Sequence, residues 1–112
     1  MDSYEIWVDL APGAHDLEFV AAVRAYLDHF KQNGKIEGYR IRRRKFGFGP
    51  SQLGEFVLTL DFANLTQLDT AFTEAATRDD VIESLHREVY SRVTNFKSGL
   101  YRDFPDAVRH QP

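Results

Sequence analysis

From Glu55 to Phe62 the chain alternates without a break. Phe56, Leu58, Leu60 and Phe62 fall on one side, and Glu55, Val57, Thr59 and Asp61 on the other. An extended strand separates these two sets cleanly, because successive side chains point to opposite faces; a helix would mix them. Tyr4 to Ala11 repeats the pattern, with Tyr4, Ile6, Val8 and Leu10 opposing Glu5, Trp7 and Asp9. Two half-buried strands of this kind require a sheet with one apolar face, and a second layer to cover that face.

The rest of the chain supplies the cover. After Pro12-Gly13 the spacing changes to that of a helix, with Phe19, Val23, Leu27 and Phe30 in one stripe and Val20 and Tyr26 beside it. Asp16 is the expected cap, Glu18 suits the positive end of the dipole, and Asn33-Gly34 is a stop signal. Asn64 with Gln67 three residues on predicts a second helix start, followed by a stripe of Leu65, Leu68, Phe72 and Ala75. A further start is expected at Thr77, with Asp80 three residues later, and Val81, Leu85, Val89 and Val93 continue at helical spacing. This predicts two consecutive helices, or one broken near Thr77. Glu37 to Phe46 reads as a second strand, Gly47 to Ser51 as a turn and Phe96 to Arg102 as a last strand.

The order is therefore strand, helix, strand, strand, doubled helix, strand. It predicts an α+β fold, the ferredoxin-like βαββαβ arrangement, with a four-stranded antiparallel sheet and helices on one face only. One domain is expected over residues 1–106, with a polar tail over 107–112. Parity assigns Glu5, Trp7, Asp9, Arg40, Arg42, Arg44, Glu55, Val57, Thr59 and Asp61 to the face away from the helices.

The opening Tyr4-Glu5-Ile6-Trp7 and the doubled second helix resemble the dimeric α+β barrel superfamily. The strings Gly34-Lys35-Ile36-Glu37-Gly38-Tyr39-Arg40 and Leu100-Tyr101-Arg102-Asp103-Phe104-Pro105-Asp106 are similar to those of a small, functionally uncharacterised bacterial family within it. The resemblance spans Tyr4 to Asp106 and implies a homodimer. The superfamily includes cofactor-free monooxygenases, haem-degrading enzymes and stress-responsive proteins, so fold alone selects no activity. The haem-degrading members use an Asn, Trp and His set. The single Trp here lies on the first strand, where that pattern does not put it, and no catalytic residue is carried over.

Composition narrows the classes further. A formal charge of −3 over 112 residues argues against a general nucleic-acid or membrane-surface binder. The absence of cysteine excludes a disulfide framework, thiolate metal sites and a cysteine nucleophile, and fits a reducing, cytoplasmic setting. His15, His29, His86 and His110 have no metal-motif spacing, so neither metal nor cofactor is expected. The acidic start, Met1-Asp2-Ser3-Tyr4-Glu5, does not suggest a secretory leader. An RNA-recognition reading fails on parity, since Phe56 and Phe62 should face the helices and acids should face out.

One candidate site remains. Trp7, Arg40, Arg42, Thr59 and Asp61 share a parity face on neighbouring strands, with His86 on the last helix as a possible rim residue. Trp7 would supply an apolar wall, an arginine could fix a carboxylate in its planar fork, and an acid could orient that arginine. The expected ligand is small, partly apolar and anionic, held in a cleft between the open face and the last helix. The competing reading makes the arginines part of an ion-pair network and the protein a non-catalytic homodimeric, structural or stress-related module. Complete pairing of the charges would favour that reading.

Overall fold

The computed structural model describes residues 1–77, 79–106 and 108 of the chain. Seven elements follow one another: β1 (Asp2–Leu10), α1 (Asp16–Gln32), β2 (Gly38–Arg43), β3 (Phe56–Phe62), α2 (Leu65–Thr77), α3 (Asp80–Tyr90) and β4 (Val93–Arg102). The four strands form one antiparallel sheet in the order β2-β3-β1-β4. This is the expected ferredoxin-like arrangement, with the second helix doubled. The Cα envelope is thin, 52 × 38 × 18 Å, as two layers of structure require.

Register fixes both faces of the sheet. Tyr4 pairs with Leu60 and Leu100, and Ile6 with Leu58 and Ser98, so these positions face the helices. Val8, Phe56, Leu58, Leu60 and Phe62 join Phe19, Val23, Leu27 and Phe30 of α1, and Ile82 of α3, in a single core. Burying one such large side chain contributes about 1.5–3 kcal/mol. Phe19 meets Phe56 edge to face, with ring centres 5.1 Å apart.

Several local expectations shift. Helix α1 starts one residue earlier than a cap at Asp16 implies. His15 holds the cap position with no side-chain bond, and the Asp16 carboxylate accepts from the Leu17 N–H at 2.7 Å. The stop at Asn33-Gly34 holds, with Gly34 at φ 71°. At the α2–α3 break the cap is Asp79, not Thr77; its carboxylate accepts from the Ile82 N–H at 2.9 Å. Asp79 has the extended backbone that a cap requires. The buried stripe of α3 moves with it, so Ile82 is buried and Val81 exposed. On α2 the buried residue is Ala71, while Leu65 and Phe72 are exposed.

The strand ends also differ from expectation. β2 stops at Arg43, because Phe46 takes a left-handed φ of 54° and turns the chain out of the sheet. β4 begins at Val93 instead of Phe96. Its ladder to β1 is broken between Trp7↔Lys97 and Asp9↔Thr94, where Asn95 and Phe96 together oppose Val8. Asn95 sits at φ 56°, a value asparagine tolerates better than most residues, and this is a β-bulge. The tail expected over 107–112 falls outside the described residues, except at position 108.

Candidate functional site

Two places gather chemistry, one on each side of the sheet. On the open face, register brings Arg42, Val57, Trp7 and Lys97 into one row across the strands. The next row holds Arg40, Thr59, Glu5 and Gly99, and the one after it Gly38, Asp61, Ser3 and Tyr101. The Thr59 hydroxyl donates to the Glu5 carboxylate at 2.7 Å and accepts from Arg42 at 2.9 Å. The Arg42 guanidinium lies 3.8 Å from the same Glu5 oxygen. Asp61 is engaged separately, accepting from the Ser3 hydroxyl at 2.8 Å.

Arg44 turns away from this network. Its guanidinium donates to the Pro50 and Leu53 carbonyls at 2.8 and 2.7 Å and braces the β2–β3 loop. Arg40 is exposed, has no acid within ion-pair distance among the described residues, and does not line the open-face hollow that Glu5, Trp7, Arg42 and Val57 share. Asp9, at the β-bulge, accepts from the Asn95 amide at 3.0 Å and from the Glu55 N–H at 2.8 Å. Those two bonds hold its carboxyl below the usual carboxylate range, with Arg44 and Lys97 adding in the same direction.

On the other side, between sheet and helices, lies a cavity of about 260 Å³. Its walls are almost wholly apolar, from Tyr4, Ile6 and Leu58 on the sheet to Val23 and Phe72 on the helices. Its polar side chains are all aromatic: Tyr4, Tyr26, His86 and Tyr90. The His86 imidazole stands between Tyr26 and Tyr90, with ring centres 5.6 and 5.0 Å away. Burial pushes the Tyr26 hydroxyl up to about 12, with the Glu83 charge adding to it, so at neutral pH Tyr26 is a hydrogen-bond donor. No lysine, arginine or carboxylate lines the cavity.

The structure therefore divides the six residues expected to form one site. Trp7, Arg42 and Thr59 lie together on the open face, Arg40 and Asp61 flank them, and His86 lies across the sheet. The cleft expected between open face and last helix does not form, because the helices all sit on the opposite face. The residues missed by sequence reasoning are Glu5, which completes the Thr59 network, and the ring set Tyr4, Tyr26, Phe72 and Tyr90. The helical spacing of Ile82, His86 and Val89 carries the signal: it aims His86 toward the same layer as Ile82. Among the described residues no group of three His, Asp or Glu could hold a metal ion.

The family model for DUF6614, a family of unknown function, matches residues 1–112. The chain belongs to DUF6614. No curated protein matches it. Among solved structures, this DUF6614 chain is similar to that of the protein At3g17210 from Arabidopsis thaliana, with TM-score 0.74 and 4% identity over 96% of this chain and 99% of that one. It is also similar to a dimeric protein of unknown function with a ferredoxin-like fold from Bacteroides fragilis, with TM-score 0.57 and 8% identity over 91% and 95% of the chains. A third structure, from Deinococcus radiodurans and named for the antibiotic biosynthesis monooxygenases, gives TM-score 0.50 and 18% identity over all of both chains. At these identities the likeness shows the ferredoxin-like fold and no activity.

Proposed function

We propose that this DUF6614 protein binds a small, uncharged and largely apolar molecule in the cavity between sheet and helices. The observation that carries this reading is the lining: about 260 Å³ walled by apolar side chains and open on one side, with ring-borne polar groups at Tyr26, His86 and Tyr90. Ligand sites are commonly apolar hollows of roughly 300–1,000 Å³ with a few convergent polar groups, so the occupant here is small. A buried charge would find no counter-ion, whereas a carbonyl or hydroxyl oxygen could accept from Tyr26. The anionic ligand expected from sequence rests on Arg40 and Arg42, which face the other way. Any chemistry on the ligand would fall to His86, the only imidazole among the residues that line the cavity.

The same reading makes the protein a homodimer, with a second copy against the open face. Trp7 and Val57 are half-buried there on the side away from the helices, and Arg40, which has no acid within ion-pair distance among the described residues, can pair with an acid of the second copy across a two-fold axis. The similarity to a Bacteroides fragilis protein described as dimeric supports this. A bacterial, cytoplasmic setting belongs to the same reading; the bacterial part rests on the family resemblance of the sequence and the cytoplasmic part on the cysteine-free composition. No helix among the described residues is long and apolar enough to cross a membrane.

Small neutral aromatics such as indole or naphthol test the cavity by NMR. They should shift the His86 and Tyr26 ring signals and leave the Trp7 indole unmoved. Shifts at Trp7 with benzoate would return the site to the open face, and no shift with any of these compounds would leave a non-catalytic dimeric module. Light scattering that gives 12.9 kDa at all micromolar concentrations would end the dimer.

A further inference from the structure

The segment from Arg43 to Gly54 carries three cations and no acid, on a chain whose net charge is −3; Arg43 is paired with Asp16 and Glu55, which leaves Arg44 and Lys45 as the cations of the loop itself. The balance of the whole chain hides this local separation. Within the segment, Phe46 and Phe48 are 82% and 83% exposed. Large apolar side chains this exposed are commonplace singly; two within three residues, among cations, are not.

The loop is also built to hold them out. Arg44 donates to the carbonyls of Pro50 and Leu53, which ties the two arms of the loop together. Gly49 makes room for this, because a Cβ there would come 2.6 Å from the Arg44 Nε. Phe46 accepts a left-handed φ of 54°, unfavourable for an aromatic residue, and its ring gains no burial in return. The Lys45 ammonium lies 4.9 Å from the centre of that ring, so a cation and an apolar surface are presented side by side.

We propose that this loop docks the protein on an anionic lipid bilayer, with Phe46 and Phe48 entering the headgroup boundary, Lys45 meeting lipid phosphates and Arg44 bracing the loop. Charge complementarity selects the partner. Rings beside cations suit a surface that is negative outside and apolar just beneath. Neither Phe46 nor Phe48 lines a described pocket, and a bilayer needs no preformed groove. The proposal does not depend on the ligand reading above.

Vesicle flotation of the full chain tests it. The protein should float with phosphatidylcholine vesicles holding about 30% phosphatidylglycerol and not with pure phosphatidylcholine, and binding should weaken severalfold from about 50 to about 500 mM salt. The double variant Phe46→Ser, Phe48→Ser should lower the partition coefficient about tenfold or more. Lys45→Glu should lower it several-fold, and neither should move the melting temperature, since these side chains are exposed. No flotation with anionic vesicles at millimolar lipid would overturn the proposal, as would undiminished binding by the double variant. A fall in particle mass for that variant would also overturn it, assigning the loop to contact between copies.

Discussion

The Thr59 hydroxyl donates to the Glu5 carboxylate across the β1–β3 ladder at 2.7 Å, and Thr59 is 1% exposed although it stands on the open face. Its cover comes from the side chains of Arg42 and Glu5, which close over it. Glu5 thus has one neutral donor and one cation, and Arg42 is fixed by a hydroxyl and an acid. Arg42 is already committed within its own chain.

Thr59→Val keeps the shape of the side chain and removes the hydroxyl. Glu5 would lose its neutral donor in a half-buried place, which costs about 1–3 kcal/mol. Urea denaturation should show a lowered midpoint with unchanged slope. An unchanged midpoint would mean that water replaces the bond freely.

Gly54 is buried against the backbone of Val8, where a Cβ would come within 2.3 Å of the Val8 carbonyl carbon. Backbone cannot yield as a side-chain tip can. Gly54→Ala should therefore move β3 from β1 and cost about 2 kcal/mol or more. Thermal melting compared with Gly13→Ala, where the space is open and the cost comes only from φ 82°, checks the difference.

The alkaline range should show two late tyrosines. Burial pushes Tyr26 up to about 12, and burial together with the Asp28 carboxylate pushes Tyr39 to about 12. Tyr39 donates to Asp28 at 2.7 Å. Both keep their protons in the folded chain above pH 10, where the unfolded chain releases them. Their contribution is complete below pH 10 and declines as pH rises toward 12. Absorbance at about 295 nm should rise in two stages, and Tyr26→Phe and Tyr39→Phe should each remove part of the late one.

Asp79 caps α3 through its bond to the Ile82 N–H. Asp79→Ala should cost about 1 kcal/mol, and Asp79→Asn much less. Because Ile82 is 1% exposed and sits in the core, fraying there should also speed hydrogen exchange across the first turn of α3.

The sheet and its faces were legible because alternation with period two leaves little choice. Phe56, Leu58, Leu60 and Phe62 have one place to go, and Ile6 and Val8 go with them. Caps were less legible where acids crowd together. Asp79 and Asp80 both suit the start of α3, and only the extended backbone at Asp79 decides between them. The candidate site was legible only in part. Strand parity assembled Trp7, Arg42 and Thr59, but a helix residue on a one-sided fold cannot share the bare face, and so His86 joins the tyrosines. The β-bulge at Asn95 was invisible, since nothing in Asn95-Phe96 separates a bulge from a strand start.

The protein is only 18 Å through its shortest Cα dimension, and this bears on time more than on affinity. In a single-layer core every interior atom lies one side chain from the outside. Phe72, Tyr90 and Phe96 line the cavity and are 44%, 48% and 58% exposed, so its wall there is also the molecular surface. A guest would come and go on the turning of those rings, without the slower parting of domains that deep pockets need. Such a protein is suited to quick exchange and poorly suited to long storage.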